Sequence, residues 1–141
     1  MEKINQTIFG LEGNCQSAVL AMLMGLGIED VPHFSKGLGE DCALSVQEKA
    51  DIFNKRVDDF LEEKGLELLW HLPTEEILEY AKNDYPMAYQ VAGKSPRGYN
   101  HVVVYHKGEM FHDPHPEGGG VVPEHIGFLY HLNGGVVVMT K

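Results

Sequence analysis

The chain has 141 residues, 43% of them hydrophobic and 23% charged, which is typical of a soluble globular protein with a core of its own. Eleven basic residues stand against 21 acidic ones, giving a formal net charge of −10. This charge argues against nucleic acid or an anionic membrane surface as a partner, because both would be repelled. The length predicts one domain over residues 1–141.

The start of the chain and the cysteines predict the compartment. The segment MEKINQTIFG lacks the basic start and the apolar run of an export signal. No stretch approaches the roughly 20 apolar residues of a membrane-spanning helix. Cys15 and Cys42, the two cysteines, are therefore expected to be reduced thiols in a cytoplasmic protein. Nothing in the sequence indicates the oligomeric state.

Helical patterns dominate the first half of the chain. Asn14 is the predicted N-cap of a first helix, which places Cys15 in its first turn, and glycines at 25 and 27 end the apolar run. Ser45 is predicted to cap a second helix that runs to about Lys64. The segment LELLWHL is predicted as a short strand, and Thr74 as the start of a third helix that reaches about residue 83.

Strand patterns dominate the second half. The segments PMAYQVAG, HVVVYH, MFHDPHP, GFLYHL and VVVMTK are rich in β-prone residues, and a tight KG turn joins the second segment to the third. Because the helices come first and the strands second, the predicted fold class is α+β. N-terminal helices would then pack on a C-terminal antiparallel sheet.

The first candidate site is the stretch GNCQSAVLAML, in which Cys15 follows a Gly-Asn turn and precedes the first helix. A thiol at a helix N-terminus meets the positive end of the helix dipole and several unpaired backbone N–H groups. Both favour the nucleophilic thiolate, and the same N–H groups can hold an oxyanion beside the sulfur. Small cysteines are also common packing residues, so the placement alone does not establish a nucleophile.

The second candidate site is a hairpin that carries a histidine and an aspartate. A thiolate that transfers acyl groups needs a base, usually a histidine, and a group that orients it. His101 opens the strand HVVVYH, and after the KG turn the returning strand ends at Asp113. If the strands pair around this turn, Asp113 lies beside His101 and can accept a hydrogen bond from its ring.

These motifs together resemble a known family. An early NC entering a helix, then His on HVVVY, a hairpin, and DP with glycines after it resembles the papain-like cysteine peptidases, closest to the C39 bacteriocin-processing and C39-like peptidases. The resemblance implies a papain-like fold with Cys15 as nucleophile, His101 as general base and acid, and Asp113 as the residue that orients His101. In the family a glutamine about six residues before the cysteine donates to the oxyanion. That position is Phe9 here, and Gln6 is the glutamine that a longer loop could bring there.

The implied function is thiol-dependent hydrolysis or acyl transfer, peptidase- or amidase-like, on a peptide or small amide, isopeptide or ester substrate, with no cofactor. Two other hypotheses stay open. One is a catalytically silent papain-like module that binds or inhibits a partner. The other is a metal site in which His112, Asp113 and His115 supply two imidazoles and a carboxylate, although no HExxH or paired CxxC motif accompanies them.

Overall fold

The computed structural model describes residues 1–134, and the predicted strand VVVMTK lies outside that range. Within the described range the fold is α+β, and five strands form one antiparallel sheet in the order β1-β5-β2-β3-β4. The elements are α1 (Cys15–Met24), a 3₁₀ turn (Ile28–Asp30), α2 (Val46–Glu63), β1 (Leu66–His71), α3 (Glu75–Glu79), a π turn (Tyr80–Asp84), β2 (Tyr89–Lys94), β3 (Asn100–His106), β4 (Glu109–His112) and β5 (Val122–His131).

Helical segments cover both faces of the sheet. On one face α1 packs on β3 and α2 packs on β1. On the other face the π turn that extends α3 contributes to a second cluster of buried side chains. Strand alternation separates the two cores, because Val102 and Val104 belong to the first and Val103 to the second. In residues 1–134, no helix has the length and apolar character needed to cross a bilayer.

The first helix is buried almost all round. Residues 16–23 of α1 are all buried, so the helix is a central element of the fold. It ends as predicted at Gly25, whose φ of +69° is left-handed and whose N–H bonds the carbonyls of Ala21 and Met22. Asn14 occupies the predicted N-cap position, but its side chain makes no capping hydrogen bond and instead binds the preceding segment.

The third helix differs from its prediction over the last turn. The α-helical pattern stops at Glu79, and the Tyr85 N–H donates to the Tyr80 carbonyl five residues earlier, at 2.8 Å. Both tyrosine rings contact Phe128, with centroids 5.2 and 4.6 Å from its ring. The wider π turn lets both rings pack on the same buried phenylalanine, and local sequence patterns do not register that long-range contact.

A capping box begins α2. The Ser45 hydroxyl accepts from Glu48 N at 3.1 Å, and the Glu48 carboxylate accepts from Ser45 N at 3.0 Å. We expect Ser45→Ala to lower the free energy of unfolding by about 1 kcal/mol, because one first-turn N–H loses its acceptor. Urea unfolding measures the loss. Ser45→Asp is the matched control and should keep wild-type stability, so equal losses in the two variants would contradict the capping role.

Candidate active site

Cys15 is the first residue of α1 and lies at the edge of the core. It is half-buried and packs against the core cluster that surrounds the helix. No side chain caps the helix N-terminus, so its first-turn N–H groups keep their hydrogen-bonding capacity. The helix dipole and these N–H groups favour negative charge on or beside the sulfur.

His101 and Asp113 form the predicted contact. His101 opens β3, and Asp113 follows β4 directly. Each is only 7% exposed, and His101 Nε2 lies 2.6 Å from Asp113 Oδ1. The ladder between β3 and β4 contains a register shift, so the two residues are not paired across it. The carboxylate reaches the ring from just beyond the end of the strand.

Cys15 meets the same imidazole from the helix side. The Cys15 thiol interacts with the His101 ring and helps to raise the pKa of that ring. Because Nε2 faces Asp113, Nδ1 is the nitrogen left for the sulfur. Burial disfavours the charged ring, but the hydrogen bonds and negative charges of Asp113 and Cys15 outweigh it and raise the pKa of His101 from 6.5 to about 9. The imidazolium is therefore the favoured form at neutral pH.

Asp113 is held by backbone donors as well as by the imidazole. Its Oδ1 accepts from His115 N and its Oδ2 from Gly120 N, both at 2.9 Å. Burial opposes the carboxylate, but the hydrogen bonds and charge of His101, with these backbone donors, hold the pKa of Asp113 below its usual value. The acid is therefore ionised and fixed in place at neutral pH.

The glycine-rich loop supplies one of those donors. Gly118, Gly119 and Gly120 all have positive φ, which only glycine adopts readily. A Cβ added at Gly119 would lie 2.7 Å from the Pro96 ring, and Arg97 donates to the Gly118 carbonyl at 2.9 Å. The loop thus packs against the β2–β3 connection and presents the Gly120 N–H to the buried carboxylate. The three consecutive glycines after DP indicate a loop beside the site, but the sequence assigned no role to the Gly120 N–H.

Residues 7–14, which we call the entry loop, lead into α1. Asn14 Oδ1 accepts from the N–H groups of Thr7 and Ile8, each at 2.9 Å, and the Asn14 N–H donates to the Ile8 carbonyl. A Cβ added at Gly13 would lie 3.0 Å from that carbonyl oxygen and 3.3 Å from Gln6 Nε2. Gly13 therefore fits a loop too tightly closed for a side chain at that position, and Asn14 provides the hydrogen bonds that close it.

Gln6 lies against this loop. It is 5% exposed, its backbone N–H donates to the Pro114 carbonyl at 2.9 Å, and its Nε2 donates to the Ile8 carbonyl at 2.8 Å. The side chain is thus close to the start of α1, and its backbone is tied to the residue after Asp113. Gln6 Oε1 is buried and has no hydrogen-bond partner among the described residues. These contacts hold the Gln6 side chain beside Gly13, two residues before Cys15.

A pair of buried amides fixes α1 to the sheet. Gln16 and Gln90 exchange two hydrogen bonds of 3.0 Å, and Gln90 is fully buried. Gln16 follows Cys15 directly, and Gln90 lies on β2, the strand that pairs with the His101 strand. This contact holds the start of the helix against the sheet. Sequence analysis did not identify it, because the partners are 74 residues apart.

The histidines of the HDPH segment bind separate partners. His112 Nε2 lies 2.9 Å from Asn5 Oδ1, and His115 Nδ1 accepts from Glu117 N at 3.0 Å. Asp113 is occupied by His101. Over residues 1–134 no three His, Cys, Asp or Glu side chains are grouped to hold a metal ion.

A large cavity lies away from these residues. It has a volume of about 830 Å³ and is lined by the C-terminal end of α1, by Met87 and Phe111, and by the first residues of the chain. Neither Cys15, His101 nor Asp113 lines it. The ten residues of α1 place its two ends about 15 Å apart. A substrate therefore does not reach the Cys15 thiol through this cavity.

Comparisons with protein-family models, with curated proteins and with solved structures each gave no match to this chain. The function is therefore argued from the geometry of the site.

Proposed function

We propose that this protein is a papain-like cysteine enzyme that hydrolyses or transfers an acyl group. Cys15 is the nucleophile, His101 the general base and acid, and Asp113 the residue that orients the imidazole. The observation that carries the proposal is the grouping of three side chains largely out of water: His101 Nε2 lies 2.6 Å from Asp113 Oδ1, and the Cys15 thiol interacts with the same ring and helps to raise its pKa. A nucleophile, a base and an orienting acid in this order are the recurring parts of such enzymes.

The first half of the reaction acylates the thiol. The Cys15 thiolate adds to the substrate carbonyl carbon, so that a C–S bond forms and the carbonyl π electrons move to oxygen. The tetrahedral intermediate then breaks its C–N or C–O bond, and the His101 imidazolium donates its Nδ1 proton to the departing amine or alcohol. The products are a thioester on Cys15, a free leaving group and a neutral imidazole.

The second half releases the acyl group. Water or an amine attacks the thioester carbonyl while His101 Nδ1 takes its proton, and the C–S bond breaks to restore the thiolate and the imidazolium. Asp113 accepts a hydrogen bond from Nε2–H throughout, which keeps Nδ1 free to exchange protons with the reacting groups. Attack by water makes the enzyme a peptidase or amidase, and attack by an amine makes it a transferase.

Two donors are suited to the oxyanion. The uncapped first-turn N–H groups of α1 lie beside the sulfur, where negative charge develops on the carbonyl oxygen. Gln6 Nε2 uses one hydrogen for the Ile8 carbonyl and has a second to offer. We assign Gln6 as the side-chain oxyanion donor on this basis.

The packing of α1 on the sheet supports the papain-like architecture.

The proposal is tested by the pH dependence of thiol labelling with iodoacetamide. At pH 6 an ordinary thiol is only about 0.3% thiolate, whereas one paired with an imidazolium is mostly ionised. We expect Cys15 to label about 100-fold faster than Cys42, the internal control, at this pH. In His101→Ala, and in the bulkier His101→Gln, the two cysteines should label within a few-fold of each other.

Two results would contradict the proposal. Equal labelling of the two cysteines at pH 6 in the wild type would leave a silent binding module as the better account. If the wild type hydrolyses a substrate and Cys15→Ala keeps all of that activity, Cys15 is excluded as the nucleophile.

A further inference from the structure

The entry loop carries an exposed apolar surface directly before the nucleophile of the proposed function. Ile8, Phe9 and Leu11 are 40%, 50% and 47% exposed. Single exposed apolar side chains are common on proteins, but here three of them lie within four residues on one short loop. None of the three belongs to either core cluster of the described residues. Their apolar character therefore contributes nothing to those cores.

The loop is well ordered in spite of this exposure. Asn14 makes four hydrogen bonds to Thr7 and Ile8, three with backbone atoms and one with the Thr7 hydroxyl. The Gly13 N–H donates to the Gly10 carbonyl at 3.0 Å. The buried Gln6 amide donates to the same Ile8 carbonyl that Asn14 N contacts. The loop backbone is therefore held in a defined position, and a binding partner loses little by ordering it.

The patch is continuous with the reacting groups. The Phe9 ring packs edge-on against His115, with centroids 5.1 Å apart, and the His115 ring packs against His101 at 6.2 Å. His101 in turn contacts Cys15. Phe9 is therefore linked to the reacting groups through the ring of His115.

We propose that Ile8, Phe9 and Leu11 bind an uncharged apolar group, aromatic or branched aliphatic, that the acyl substrate carries close to the carbonyl attacked by Cys15. The inference rests on the proposed function and specifies its substrate class. The occupant is part of the same substrate, because the patch continues through His115 into the site. Apolar contacts of this kind typically give about 10-fold discrimination or more.

The experiment compares two alkylating reagents on the intact protein. N-benzyl iodoacetamide and iodoacetamide carry the same reactive carbon, and only the first offers an aromatic ring to the patch. The quantity measured is the labelling rate with N-benzyl iodoacetamide divided by the rate with iodoacetamide. Dividing this ratio at Cys15 by the same ratio at Cys42 removes the intrinsic difference between the two reagents. We expect this normalised ratio to be about 10 in the wild type and to fall to about 1 to 2 in Phe9→Ser, with an intermediate value in Leu11→Ser.

Leu72→Ser is the matched control. Leu72 is 64% exposed and follows β1, the sheet edge opposite β4, so its replacement should leave the ratio at the wild-type value. A wild-type ratio near 1, or one that Phe9→Ser leaves intact, overturns the inference. If either occurs while Cys15 labelling still depends on His101, the proposed function stands and only the substrate class is wrong. Labelling of Cys15 that is independent of His101 overturns the proposed function and this inference with it.

Discussion

Asp113→Asn is expected to slow the labelling of Cys15 at pH 6 about 100-fold while leaving Cys42 unchanged. Burial lowers the pKa of His101, and the hydrogen bond that the ring donates to Asp113 is the largest of the interactions that nevertheless raise it to about 9. Without the negative charge of the carboxylate, burial disfavours the imidazolium, so the His101 ring loses its proton at a lower pH than in the wild type. The thiolate then loses the positive partner that stabilises it.

The amide of this variant fits the space of the carboxylate but not its hydrogen bonds. If the amide keeps its oxygen towards His101 and His115 N, its NH₂ group faces the Gly120 N–H, and two donors oppose each other. If the amide is reversed, its NH₂ faces His101 Nε2 and forces the ring proton onto Nδ1. The nitrogen beside Cys15 then cannot accept a proton. Neutralising the equivalent acid in a serine triad costs about 10⁴ in rate, so a large effect is the general expectation.

We also expect Asp113→Asn to change how the free energy of unfolding depends on pH. The pKa of His101 is higher in the folded protein than its unfolded value of 6.5, so its stabilising effect is fully present below pH 6.5 and is lost as the pH rises through about 9. Wild-type unfolding free energy should therefore fall across this interval, and the fall should be smaller in Asp113→Asn. Urea unfolding at pH 6 and pH 9.5 measures it. Labelling of Cys15 at the wild-type rate, with an unchanged fall in stability, would show that Asp113 does not act on His101.

Gly93→Ala is expected to cost about 3 kcal/mol of unfolding free energy, the largest stability effect that we predict. A Cβ at this position would lie 1.8 Å from the Val122 carbonyl oxygen and 2.8 Å from its carbonyl carbon. Both atoms belong to the backbone of β5, so β2 and β5 must separate to admit a methyl group. Gly93 also pairs with His101 on β3, and its displacement should therefore slow the labelling of Cys15 as well.

Gly127→Ala is the matched control for this glycine. Its Cβ would lie 2.9 Å from the ring of Trp70, a partly exposed side chain that can turn aside, whereas a strand backbone cannot. We expect a loss of about 1 kcal/mol or less, measured by urea unfolding beside Gly93→Ala. A smaller loss in Gly93→Ala than in Gly127→Ala would contradict the close approach of β2 and β5.

Features that depend on neighbouring residues were predictable from the amino-acid sequence alone. The capping box at Ser45 and the left-handed Gly25 define helix ends through hydrogen bonds that span only a few residues. The contact between His101 and Asp113 was also predictable, because a two-residue turn with positive φ at Lys107 and Gly108 brings the ends of one hairpin together.

The surroundings of that contact depend on how the helix and the sheet pack. The amide pair of Gln16 and Gln90 joins residues 74 positions apart, whose proximity no local pattern encodes. The same holds for Gln6, whose backbone N–H donates to the distant Pro114 carbonyl. Short-range hydrogen bonds and turn geometry depend on residues that are close in the sequence, so local patterns can predict them. The long-range contacts form only once the helix and the sheet have packed together.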